Sequence, residues 1–193
     1  MQPLYELLER YAQRDPAAAI LAARFVAFAR ANKDCLLRSC VPGHITASAF
    51  ILSADDTHCL LTHHRKLQRW LQLGGHVDGE PLVQQAALRE AREESGMQQF
   101  DLLSLGGQLE PLDLDVHTIP ARKQDREHLH WDVRFLLRAH KGQDLVISEE
   151  SNDLRWIPLV QLGDFCQEES VLRMRQTAAT WLARGAVTQN PAD

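Results

Sequence analysis

The sequence predicts an α+β fold of the α/β/α sandwich kind, a mixed β-sheet held between helices, with a helical extension ahead of it. Three observations support this. Apolar residues recur at helical spacing near the start, the texture turns to short apolar runs after Pro42-Gly43, and strands and helices then follow in mixed order rather than in doubly wound alternation. The 193 residues, 45% of them hydrophobic, suffice for one domain with appendages and a real core. We divide the chain into a helical extension over 1–40 and a main domain over 41–187.

The stretch LYELLERYA places Leu4, Leu7, Leu8 and Tyr11 on one helical face. Asp15-Pro16 reads as a cap and first-turn proline opening a second helix through about Ala31, with Ile20, Leu21, Phe25 and Phe28 as its apolar residues. These two helices either cover a sheet edge or join two copies into a homodimer. ITASAFILS, a turn at Asp55-Asp56 and HCLLTHH form a predicted hairpin. An acid-rich helix opens after Gly79, with Pro81 in its first turn, and stops near Gly96. Strands are expected over 101–109, 129–139 and 154–157. A closing helix over 168–184 carries Val171, Leu172, Ala179 and Leu182.

Composition narrows the function classes. A net charge of -5 and a pI near 6.0 give no basic field for a nucleic-acid polymer, although a free nucleotide remains open. Met1-Gln-Pro-Leu-Tyr-Glu lacks the start of a secretory signal and no apolar run approaches a membrane span, so a cytoplasmic protein without a membrane partner is expected. Cys35, Cys40, Cys59 and Cys166 show no C-x-x-C pair and read as buried free thiols.

The chemistry concentrates in GGHVDGEPLVQQAALREAREESGM, residues 74–97. Residues three and four apart share a helix face, so Glu90, Glu93 and Glu94 converge while Ala86, Ala87 and Ala91 leave the other side slim. A hard divalent cation relieves that repulsion, and Mg²⁺ suits a few carboxylates plus water and phosphate oxygens. At Gly74-Gly75 a backbone carbonyl approaches the ion without side-chain obstruction. The alternative is a solvated helix whose acids are neutralised by Arg89 and Arg92.

The spacing resembles the Nudix box: Arg89, Glu90, Ala91, Glu93, Glu94, Gly96 and Met97 match, and Gly75 stands at the family's distance before Arg89. One position departs, since Pro81 stands where the family has a glutamate and Glu80 lies one place early. The resemblance implies the Nudix fold and a Mg²⁺-dependent hydrolase, with Mn²⁺ as a substitute. It implies cleavage of the pyrophosphate bond of a nucleoside diphosphate joined to another group, such as a nucleotide sugar, an ADP-ribose-like molecule or a nucleoside triphosphate. By matching position, Glu93 and Glu94 are the main metal ligands, with Gly75 beside them. Glu90 is a further ligand or orients water, and Arg89 orients the acids. Two other readings stand beside this one. Isopentenyl diphosphate isomerases share the fold and use histidine-rich metal sites, which His44 and His76 evoke, but they need a cysteine where this chain has Gly75 and Val77. A non-catalytic nucleotide sensor would be expected to lose box acids, and all three are present.

EHLHWDVRFLL alternates, with His128, His130, Asp132 and Arg134 on one strand face. That face either meets water or lines the cleft opposite the acid-rich helix, where it would bind a substrate phosphate or a further metal. Arg122 and Lys123 add positive charge upstream. His63, His64 and Arg65 end the second strand near the same cleft, His76 follows the glycine turn, and Trp70 reads as packing. The expected substrate-binding residues are thus His76, His128, His130, Arg134 and Arg65. Nudix enzymes often take their catalytic base from a distant loop, and either acid of Glu149-Glu150 fits that role, with Glu150 preferred.

Overall fold

Helix α1 (Gln2–Ala12) forms where the leucine spacing places it, and its buried stripe is Leu4, Leu7, Leu8 and Tyr11. Helix α2 (Pro16–Ala31) begins as the cap predicts: Pro16 occupies the first turn and the Asp15 carboxylate accepts the Ala18 N–H at 2.9 Å. Its inward face is Ala18, Ala22, Phe25, Phe28 and Ala29, whereas Ile20 points outward and is 67% exposed. The small alanines let α2 approach closely, and Ile20 lies off that stripe. The protein is seen here as a computed structural model that describes residues 1–121 and 126–189.

After the helices, strands β1 (Gly43–Leu52), β2 (His58–His64), β3 (Arg69–Leu71) and β4 (Leu73–His76) lead into helix α3 (Val83–Ser95). Strands β5 (Phe100–Ser104), β6 (Asp113–Ile119), β7 (His128–Ala139) and β8 (Ser151–Pro158) follow, then short helix α4 (Leu162–Phe165), helix α5 (Glu169–Ala183) and strand β9 (Val187–Gln189). The strands join one mixed sheet in which β1 is central, antiparallel to β2 and β4 and parallel to β7. No described helix is long and apolar enough to cross a membrane.

Alternation along β1 and β7 divides the core into two layers. Ile45, Ala47, Ala49, Trp131, Val133 and Phe135 face a cluster that includes α1, α2 and the alanine side of α3. Phe50, Leu52 and Leu136 face a second cluster built on α5. The first two helices therefore cover a sheet face rather than an edge: Phe28 stacks on Trp131 at 4.4 Å, and Phe25 meets the same ring edge-on at 5.1 Å.

The structure corrects several boundaries. The strand expected over 101–109 ends at Ser104, because Gly106 and Gly107 take left-handed turns with φ of 76° and 80°. A further strand, β6, lies in DLDVHTI, outside the expected strands. Helix α3 starts two residues beyond Pro81, and its entry is held by Glu80, whose carboxylate accepts the Leu82 N–H at 2.9 Å. That local bond occupies Glu80 and leaves the glutamate missing at position 81 without a replacement there. The buried stripe of α5 is Val171, Met174, Ala178 and Trp181, a quarter-turn away from the expected one.

Candidate active site

Strand β4 and helix α3 are joined by a short turn, so the end of the strand and one face of the helix are held together. Helix α3 ends at Gly96, whose φ of 76° is the left-handed conformation of a helix stop. The acids divide into two kinds of position. Glu90 and Glu94, one turn apart, point inward toward the glycine turn, and Glu93 sits at the rim with its side chain 59% exposed. A Cβ on Gly75 would lie 2.7 Å from the Glu90 carboxylate, so a larger residue there would displace that side-chain end. The Gly74 N–H reaches Glu94 at 3.5 Å.

Arg89 organises the rim. One nitrogen pairs with Glu90 at 2.8 Å and Glu93 at 3.3 Å, while Nη2 donates to the His76 carbonyl at 2.7 Å, tying the helix to β4. Among the described residues, Glu94 gains no comparable cation. Burial first, and the neighbouring Glu90 charge second, push its carboxyl up to about 8, and burial raises Glu90 as well. Hard oxygen donors crowded in a partly buried site, short of positive charge, fit a hydrated divalent cation of the magnesium class. A solvated helix is a poorer account of Glu90 and Glu94, although Glu93 has that character.

Glu150 lies in the exposed loop before β8, its charge adding to the raised proton affinity of both Glu90 and Glu94. The Arg65 N–H donates to the Glu150 carbonyl at 2.9 Å, so Arg65 and Glu150 share one rim. His63 and His64 are spent locally: the His63 ring contacts Asn152, and the His64 ring accepts the Lys66 and Leu67 N–H groups. Trp70 packs against Phe165. Arg122 and Lys123 lie outside the described residues.

The polar face of β7 turns away from α3, because His130, Asp132 and Arg134 alternate with Trp131 and Val133, which pack beneath the helices. Here the expectation for Arg134 fails. Its side chain is 2% exposed and meets Asp132 at 2.8 Å, Asp113 at 3.1 Å and Asp115 at 3.1 Å. Although burial opposes its charge, those three aspartates outweigh it and raise its pKa. Thr46 and Ser48 complete the lattice by donating to Asp132, and Arg173 of α5 covers Asp113 and Asp115. A guanidinium so enclosed is a structural cation, not a phosphate ligand. Two of its three carboxylates come from β6, the strand missing from the sequence reading; the alternation Leu114, Val116 against Asp113, Asp115, His117 was the available signal.

Beyond this lattice the face carries histidines. His44 of β1 stands opposite His130 of β7 in register, His130 stands opposite His117 of β6, and His76 and His128 lie against the same group. The structure thus brings His76, His128 and His130 together. It adds His44, placed by the sequence only within the isomerase reading, and His117. A separate cavity of about 670 Å³ lies between α1 and α5, and two of the arginines lining it are engaged, Arg14 with Glu110 and Arg173 with Asp113.

Paired inward glutamates stand against a glycine turn, on a helix docked under a mixed sheet in an α/β/α sandwich. The NUDIX domain model matches residues 42–183, and the chain belongs to the NUDIX family. Its fold resembles that of an Ap4A hydrolase from C. elegans, with 18% identity and a TM-score of 0.52 over 72% of this chain and 97% of the other. A NUDIX-family hydrolase from Clostridium perfringens gives 23% identity and a TM-score of 0.51, over 71% of this chain and 97% of that one. The dihydroneopterin triphosphate pyrophosphohydrolase of E. coli gives 17% and 0.53, over 68% and 92%. No curated protein sequence matches the chain. It keeps the box acids Glu90, Glu93 and Glu94, lacks the one at position 81, and is a Nudix hydrolase.

Proposed function

We propose that the protein is a Mg²⁺-dependent pyrophosphohydrolase acting on a nucleoside diphosphate joined to another group. One observation carries this reading: Glu94 lies half-buried beside Glu90 against Gly74-Gly75 with no cation paired to it among the described residues, and a divalent ion would supply the missing charge. Mg²⁺ held by Glu90, Glu93, Glu94 and the Gly75 carbonyl would neutralise the diphosphate and activate water. Mn²⁺ would serve in its place. Arg89 holds Glu90 and Glu93 in position through the contacts already described. Glu150, in the loop before β8, would accept a proton from the attacking water, and Arg65 beside it would contribute positive charge toward an anionic substrate. Two similar folds are described as acting on Ap4A and on dihydroneopterin triphosphate; the first is a dinucleoside polyphosphate of this class, and the second shares its phosphoanhydride bond. Four free thiols, all buried, accord with a reducing compartment such as the cytoplasm.

The experiment is turnover by the purified protein with Mg²⁺ or Mn²⁺ on a panel of ADP-ribose, nucleotide sugars, dinucleoside polyphosphates and nucleoside triphosphates. Glu93→Gln and Glu94→Gln are each expected to lower turnover at least about a hundredfold, the low end for lost charge stabilisation. Undiminished turnover in both variants would refute the assignment.

A further inference from the structure

The acids at the glycine turn account for one face of the central strands. On the other face, His44, His76 and His130 come from three different strands, β1, β4 and β7, and each offers a ring nitrogen within 4.8 Å of the others. Ring centroids lie 4.9 Å apart for His44 and His76, 4.7 Å for His44 and His130, and 5.4 Å for His76 and His130.

His44 makes this more than a chance grouping. It is 3% exposed, and neither Nδ1 nor Nε2 has a hydrogen-bond partner among the described residues. A buried imidazole with both nitrogens unpaired loses the hydrogen bonds it had to water, so such a group ordinarily finds a donor, an acceptor or a ligand. The neighbours of His44 are themselves imidazoles: His76, His130 and His128, whose ring stacks on it at 5.0 Å. The polar side chains of the next rows are committed elsewhere, Asp132 to Thr46, Ser48 and Arg134, and Asp115 to His117, Arg134 and Arg173.

We propose that His44, His76 and His130 form a second metal site, distinct from the glutamate site and specific for a borderline divalent ion of the zinc class. Imidazole nitrogens suit zinc, cobalt, nickel and copper, whereas magnesium prefers hard oxygen donors. The dimensions agree. Zinc bonds histidine nitrogen at about 2.0–2.1 Å, which sets nitrogens about 3.4 Å apart in a tetrahedron, so small side-chain rotations close the observed spacing. Three protein ligands leave a fourth position for water or an anionic oxygen, the arrangement of reactive rather than purely structural zinc sites. His76 couples the two centres mechanically: its ring belongs to the histidine cluster while its carbonyl receives Arg89 of the glutamate site. The proposal is independent of the hydrolase assignment, because its ligands, its strand face and its ion all differ.

Cobalt is the probe of choice, since its absorption reports nitrogen coordination directly. Chelator-treated full-length protein titrated with Co²⁺ in excess Mg²⁺ is expected to develop intense visible absorption that saturates at one ion per chain and is displaced by Zn²⁺. His44→Asn and His130→Gln are each expected to weaken this binding at least about tenfold, judged against the effect of disturbing even outer partners of a metal site. Glu93→Gln and Glu94→Gln should leave it unchanged. His130 is only partly buried, so its variant serves where His44→Asn misfolds, with circular dichroism as the check. Wild-type protein that gives no such absorption overturns the site, and so does an absorption retained in folded His130→Gln or abolished by the glutamate variants.

Discussion

At the scale of single residues, the two most informative groups are a cation with too many partners and an acid with too few. Arg134 holds three aspartates together in a fully enclosed lattice, so removing it strands buried carboxylates rather than emptying a substrate pocket. Arg134→Met is therefore expected to cost about 3–5 kcal/mol of stability, read by urea denaturation, as for other buried pairs broken from one side. A variant of unaltered stability that only raises KM would return Arg134 to the substrate. Glu94 behaves oppositely. Its folded-state pKa, raised to about 8, stands above the value near 4.3 of an unfolded chain, so the folded protein binds the extra proton. In metal-free protein this group's contribution is fully present below about pH 4 and is lost as pH rises through about 8. Mg²⁺ competes with that same proton. Thermal melts of chelator-treated protein should thus show a larger rise in Tm on adding Mg²⁺ at pH 8 than at pH 6, with the difference diminished in Glu94→Gln. Equal rises at the two pH values would contradict the cation site.

Secondary elements explain why parts of the fold could be read in advance and others could not. Helix α3 was legible because its charges, its alanines and its stop are local: Gly96 must adopt φ of 76°, and the sequence places glycine there. Space reinforces the conformation, since a Cβ on Gly96 would lie 2.6 Å from the Val146 Cβ. Gly96→Ala should consequently destabilise by at least about 1 kcal/mol through its backbone alone, measurable by denaturation, and a neutral result would mean that the helix end rearranges freely. The acids of this helix were legible for the same local reason. Their partition into inward Glu90 and Glu94 and rim-placed Glu93 was not, because docking on β4 decides it. Strand β7 was found by alternation, but whether its polar side met water depended on β6 and α5 packing against it. The histidine cluster was dispersed over β1, β4, β6 and β7, so its assembly depends on register between strands far apart in sequence. No local pattern carries that information.

For the molecule as a whole, the question is whether the first two helices are an appendage or part of the core. Their buried side chains, Leu4, Leu7, Leu8, Tyr11, Phe25 and Phe28, share one apolar cluster with Ile45, Val133 and the alanines of α3. Burying a side chain of this size contributes roughly 1.5–3 kcal/mol, so six of them rival the roughly 5–15 kcal/mol by which ordinary domains are stable. The aromatic contact is specific as well: Trp131 follows His130 on β7 and is clamped on the helix side by Phe25 and Phe28. Removing the helices would bare that ring and the apolar face of β1 while leaving every box residue in the chain. Starting the chain at residue 41 is therefore expected to abolish a cooperative thermal transition and, with it, both hydrolysis and metal binding. Phe28→Ala in the full chain should lower stability by about 3–5 kcal/mol, as large-to-small changes in a packed core do. A truncated chain that melts cooperatively and retains turnover would mean that 1–40 is a detachable extension and that the sheet closes its own face by another route.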